Sequence, residues 1–192
     1  MKLLQWWTED ASAQIAALRD DEEAYRRIVG GGWDVMLGRR LEDVAVVKRQ
    51  AVRNITVGPY RGELALVTLD DPPEQLPTLV VHPGSDWNGD VVLWLTDDGK
   101  AGLLTDDGLP REPIRNLLDF GYAVVGVDLL YQGEFLPDGG VLERTRLNLP
   151  EQHGDRSLDP WQFHSAYTFG YNRPLFAQRV HDVLTALRAI AS

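Results

Sequence analysis

A chain of 192 residues, 44% hydrophobic and 25% charged, has the length and composition of a globular protein with one sizeable core. Its formal net charge of −10 leaves no basic stripe to neutralise phosphates, which argues against a nucleic-acid partner. The absence of cysteine excludes disulfides, a thiol nucleophile and thiolate metal sites.

The chain opens Met1-Lys2-Leu3-Leu4, but this apolar stretch ends at Trp7 and Thr8-Glu9-Asp10 follow without a small-residue cleavage site. No targeting signal is therefore expected, and no apolar run reaches transmembrane length, so no membrane partner is expected either. Residues 8–29 predict a helix. Thr8 is its expected cap, Glu9 and Asp10 favour its positive end, and Ile15, Leu18, Tyr25 and Ile28 are its spaced apolar positions. Gly30-Gly31-Gly32 is expected to end it, because no strand precedes these glycines and no lysine pattern follows to make them a phosphate loop. A short second helix is expected over 34–40, and the candidate boundary between this segment and the rest lies near residues 38–43.

From Val44 the period changes. VAVVKRQAV, GELALVTL, TLVVH and VVLWL are β-rich runs separated by the turn signals GPYRG, DDPPEQLP and PGSDWNGD. The early runs are close in sequence, which predicts antiparallel pairing. VVLWL and AVVGV are short, almost wholly apolar and separated by a helical stretch, the pattern of parallel strands buried on both faces.

From Pro113 the chain reads helix, buried strand, glycine turn, long loop, helix, in PIRNLLDFGY, AVVGVDLLYQGE and YNRPLFAQRVHDVLTALRAIAS. Gly121-Tyr122 stand before a strand that ends in Asp128. This order of elements resembles the N-terminal half of the α/β-hydrolase fold, in its dienelactone-hydrolase and acetyl-xylan-esterase-like branch, over roughly residues 44–192. DLLYQGE, from Asp128 to Glu134, is similar to the D-x-R-G-x-G turn after the family's fourth strand. Asp128 and Gly133 match that turn, whereas Leu130 and Tyr131 stand where Arg and the first Gly are expected. The last segment is similar to the helix before the nucleophile strand, with Asn172 as expected cap, Pro174 in the first turn, and Phe176, Val180, Val183, Leu184 and Leu187 on one apolar face.

The resemblance implies an α/β protein with a partial α/β-hydrolase fold: a mixed sheet whose first strands are antiparallel and whose next two form a parallel βαβ unit. Residues 1–42 would be an N-terminal helical segment and 43–192 the first half of the hydrolase-like domain. It further implies serine acyl transfer to water with a small ester as substrate, and neither cofactor nor metal. In that family the loop after the third strand, here Leu95 to Lys100, supplies a backbone N–H to the oxyanion hole. Asp98 and Gly99 are accordingly the candidate oxyanion residues, and Asp128 and Gly133 shape the turn after strand four. The usual His of that loop is absent and two carboxylates stand there instead. G-x-S-x-G occurs nowhere in the sequence. The expectation is thus a chain that breaks off before the nucleophile strand, is inactive by itself, and offers no nucleophile or base. VVLWL would then be an open edge through which the chain associates with itself. The alternative is a non-catalytic hydrolase-like module that binds a ligand or a protein, favoured by the TDDGK loop and the lost Arg-Gly.

TDDG occurs at 96–99 and again at 105–108. Two such turns invite a Ca²⁺ reading, but neither repeat supplies alternating oxygen ligands with a distal Glu, and Asp-Gly turns form for backbone reasons alone. Among the histidines, His181 next to Asp182 falls within the last helix, where local bonding or partial burial is expected. His164-Ser165 sits among Trp161, Phe163, Tyr167, Phe169 and Tyr171, read as rings packed over the sheet edge rather than as a substrate-lining loop. Arg179 and Asp182, three apart on one helix face, are expected to form a surface or helix-tethering pair of modest worth.

Overall fold

The computed structural model describes residues 2–137 and 173–191. His153 and the aromatic segment around His164 lie outside the described residues. The chain divides into two units, Met1–Arg40 and Leu41–Ser192.

The first unit is helical, with boundaries that differ from those expected. Helix α1 is Lys2–Ala17, so Thr8 is not a cap: it lies inside the helix, and its hydroxyl donates to the Leu4 carbonyl at 2.9 Å. The break comes at Asp21, whose carboxylate accepts the Ala24 N–H at 2.9 Å and caps a new short helix, α2, Glu22–Tyr25. The three glycines do not stop the chain. It widens into a π turn over Arg26–Gly30 and continues into α3, Gly31–Leu37, with Gly31 at φ −60°, because glycine enters the right-handed region as readily as the left-handed one. The stop is Gly38, left-handed at φ +64°, whose N–H closes on the Asp34 carbonyl at 2.7 Å. No residue of these helices is buried, and Trp6, Trp7 and Trp33 are all exposed. Among the described residues, no helix is long and apolar enough to cross a membrane.

The second unit is built on a five-stranded mixed sheet. Its strands are β1 (Lys48–Val57), β2 (Tyr60–Leu69), β3 (Glu74–His82), β4 (Val91–Trp94) and β5 (Ala123–Val127), in the order β1-β2-β3-β5-β4. β1/β2 and β2/β3 are antiparallel and β4/β5 are parallel, as the two kinds of apolar run foretell, and β3/β5 are antiparallel as well. β1 starts four residues later than VAVVKRQAV implies, since Val44 and Val47 turn inward from irregular backbone to join the core. Gly58, at φ +58°, makes the tight β1–β2 turn.

Helix α4 (Glu112–Asp119) connects β4 to β5, and helix α5 (Leu175–Ile190) follows the second described stretch. The expected cap Asn172 lies outside the described residues. Pro174 is not in the first turn but at the cap position, with an extended ψ of 149°, and its carbonyl accepts the Gln178 N–H at 3.1 Å. The helices cover opposite faces. Ile114 and Leu118 of α4 join Val57, Leu79, Val81 and Val124 in one core. Val183, Leu184, Ala186, Ala189 and Ile190 of α5 join Val67, Leu76, Val125 and Val127 in the other. Because β5 is covered on both sides, all five of its residues are buried. Each fully buried Val or Leu stabilises such a layer by roughly 1.5–3 kcal/mol. Gly126 serves this packing directly, since a Cβ there would lie 2.6 Å from the Leu103 side chain.

Tyr60 ties the β1–β2 turn to the end of α4, its hydroxyl donating to Asp119. Burial raises its pKa above the ordinary 10.0, and the hydrogen bond and negative charge of Asp119 raise it further, against a smaller lowering by Arg115. A raised tyrosine pKa means the fold binds the neutral phenol. Its contribution is complete below the unfolded value and is lost as pH rises through the folded one. The wild-type urea midpoint should therefore fall more between about pH 9 and about pH 11 than that of Tyr60→Phe, which should be the less stable protein at neutral pH. Parallel pH profiles would disprove the link.

Candidate functional site

In open α/β sheets, ligands and chemistry gather beyond the carboxyl ends of the parallel strands. Here two loops leave those ends side by side, Leu95 to Lys100 after β4 and Asp128 to Phe135 after β5. One buried carboxylate joins them. Asp128 is 0% exposed and accepts the backbone N–H of Lys100 at 2.9 Å, the backbone N–H of Glu134 at 3.0 Å, and the Lys100 ammonium. Lys100 Nζ also pairs with Glu134 Oε1 at 2.7 Å. A buried ion persists only when its lone pairs are used in this way.

The two candidate glycines stand against that carboxylate. Gly99 has φ +62°, and a Cβ there would lie 2.3 Å from Asp128 Oδ1. Gly133 has φ +49°, and a Cβ there would lie 2.3 Å from Asp128 Cγ. The structure thus brings together Gly99, Asp128 and Gly133 of the residues singled out by sequence. Asp98 stands at the start of the 3₁₀ turn Gly99–Leu103 with its side chain exposed, away from this contact.

The donors of the loop are now specified. The Gly99 N–H is directed to the Thr96 carbonyl at 3.3 Å, and the Lys100 N–H is held by Asp128. The Asp98 N–H makes no hydrogen bond among the described residues. Of the loop's two candidates, Asp98 thus keeps a backbone N–H with no partner among the described residues, and Gly99 stands in close approach to Asp128. The carboxylates of Asp97 and Asp98 are both exposed.

Both TDDG segments are tight turns of one design. Gly99 and Gly108 close on the carbonyls of Thr96 and Thr105 at 3.3 and 2.9 Å, each glycine at positive φ, +62° and +74°. Among the described residues, no three metal-ligating side chains cluster.

One residue that completes the site, Gln132, carries no local sequence signal, and others named from the sequence find unexpected partners. Gln132, 3% exposed, donates to the Asp97 carbonyl at 3.0 Å and accepts the Leu129 N–H at 3.2 Å, stitching the loops a second time. Arg179 and Asp182 bind the backbone of Leu130, not each other: Arg179 Nε donates to its carbonyl at 2.9 Å, and Asp182 Oδ2 accepts its N–H at 2.8 Å. The tethering role expected of them is real, and its partner lies some fifty residues back in the chain. Tyr131, at the position of the first Gly in the D-x-R-G-x-G pattern, has φ +63°, left-handed backbone of the kind glycine favours.

Comparison with protein-family models, with curated proteins and with solved structures finds no match to this chain.

Proposed function

We propose that this chain forms the N-terminal half of a serine-dependent ester hydrolase of the α/β-hydrolase type, and that by itself it does not turn over an ester. The observation that supports this most directly is the setting of β4. It is the outermost strand, parallel to β5, and its loop meets the loop of β5 at their common carboxyl ends. In the family resembled, the third strand occupies that place, carries the oxyanion loop and stands beside the nucleophile strand. The left-handed Tyr131 and the contacts of Gly133 and Asp128 support the same reading, because the turn after β5 keeps the backbone that the family's glycines allow. In this role the Asp98 N–H faces the ester oxygen, and Asp128 acts as a positioning residue that fixes the oxyanion loop through Lys100.

A second reading, a non-catalytic module of the same fold that binds a ligand or a protein, draws on the loop's own economy. Two of its N–H groups are already engaged, and two carboxylates stand where a developing negative charge would be placed. Sequencing the reading frame past Ser192 and treating the full product with a fluorophosphonate probe separates the two. The hydrolase reading expects a strand followed by G-x-S-x-G and one labelled serine in that turn. A frame without that turn, or a product with it that takes no label, overturns the hydrolase reading in favour of the module. The 192-residue chain alone is expected to hydrolyse p-nitrophenyl acetate no faster than buffer.

A further inference from the structure

A cavity of about 240 Å³ lies between the sheet and the last turn of α5, at the opposite end of β4 and β5 from the loops joined by Asp128. Its walls are mostly apolar, with Val80, Val91, Ala123, Val125, Ala189 and Ile190 contributing. An engineered apolar cavity of roughly 150 Å³ suffices to hold benzene, so this one accepts a substituted single ring or a branched chain of similar bulk. Three polar side chains also line it, His82, Arg49 and Thr78, and the Thr78 hydroxyl donates to the Ala65 carbonyl at 3.0 Å.

With the Thr78 hydroxyl proton already donated, the hydrogen bonding of His82 and Arg49 defines the ligand. The Gly84 N–H donates to His82 Nδ1 at 3.1 Å, which places the ring proton of the neutral imidazole on Nε2. Nε2 makes no hydrogen bond among the described residues, so it is a donor still to be used. The Trp87 ring, with its centroid 5.1 Å from that of the imidazole and tilted by 60°, restrains the imidazole. Arg49, by contrast, already holds Glu63 in an ion pair. A ligand carboxylate would put a second anion beside one cation and meet the negative charge of Glu63. A hydrocarbon would leave the imidazole N–H unpaired.

We infer that this cavity is a binding site for a neutral, ring-sized apolar molecule carrying one hydrogen-bond acceptor, a ketone, amide or ester carbonyl, which accepts from His82 Nε2. The site is separate from the loops at the carboxyl ends, and it stands whether or not the chain belongs to a hydrolase.

Three compounds of nearly equal shape test it: acetophenone, ethylbenzene and benzoate, titrated into the 192-residue chain and followed by NMR shifts of the alanine methyls. Acetophenone should bind about fivefold or more tighter than ethylbenzene, the advantage one neutral hydrogen bond gives, and tighter than benzoate. His82→Phe should remove the preference over ethylbenzene while leaving ethylbenzene bound. Ala189→Phe, which fills the cavity, should abolish binding of all three. Equal binding of acetophenone and ethylbenzene, a preference for benzoate, binding that survives Ala189→Phe in a folded protein, or no binding of any compound would each overturn the inference. The comparison among ligands uses the wild-type chain, so it stands even if a variant fails to fold.

Discussion

Gly99→Ala is expected to destabilise the sheet unit by about 3–5 kcal/mol, the cost of breaking a buried ion pair by displacing one partner. The new methyl would sit 2.3 Å from Asp128 Oδ1, and Asp128 has nowhere to move, because Lys100 and Glu134 hold it from both loops. Gly133→Ala meets the same carboxylate at 2.3–2.4 Å from three of its atoms and should cost as much. Gly108→Ala is the internal control. It shares the turn design and a positive φ of +74°, yet nothing lies within 4 Å of its added Cβ. It should therefore lose only the roughly 1–2 kcal/mol of left-handed backbone strain. Urea denaturation of the three variants measures the difference directly. If Gly99→Ala costs no more than Gly108→Ala, Asp128 is not the fixed point described above.

The second large effect is on association. β4 pairs with β5 on one side, and no described strand pairs with its other side. Val91, Val92, Leu93 and Trp94 are each half-buried, and this run has no lysine, proline or bulge of the kind that discourages strand addition. The chain is expected to self-associate as its concentration rises, seen as a growing mass in sedimentation equilibrium. Val92→Lys should raise the dissociation constant by at least tenfold, about 1.4 kcal/mol, because pairing a second strand there would strand a charge in the interface. A chain that stays monomeric throughout, or one whose association Val92→Lys leaves untouched, rules out this edge as the contact.

Local pattern carried the sheet further than it carried the site. VVLWL and AVVGV announce a parallel pair because both of their faces are apolar, although only AVVGV is buried on both faces and VVLWL, the outermost strand, is half-buried. The helix between them is legible from Ile114 and Leu118. Asp128, Gly133 and Gly99 were visible as turn residues. That they touch one another was not, since Lys100 and Asp128 are 28 residues apart and neither position carries a local signal for the other. The helical segment failed for a different reason. Glycine permits both helix and stop, so Gly30–Gly32 and Gly38 look alike in sequence, and only the backbone separates them. Likewise Thr8 has the side chain of a cap, but a hydroxyl serves equally well turned back on the Leu4 carbonyl.

The grip of α5 on Leu130 has a mechanical side. Arg179 and Asp182 seize two successive peptide groups, one through its carbonyl and the other through its N–H, so they fix the orientation of the backbone there as well as its distance. Between those residues and Ala189–Ile190 runs unbroken helix, a stiff rod rising about 1.5 Å per residue. At its near end the rod meets the turn that begins at Asp128, and Asp128 in turn meets the Lys100 N–H after β4. One helix and one carboxylate thus form a continuous line of contacts from one end of the sheet to the other.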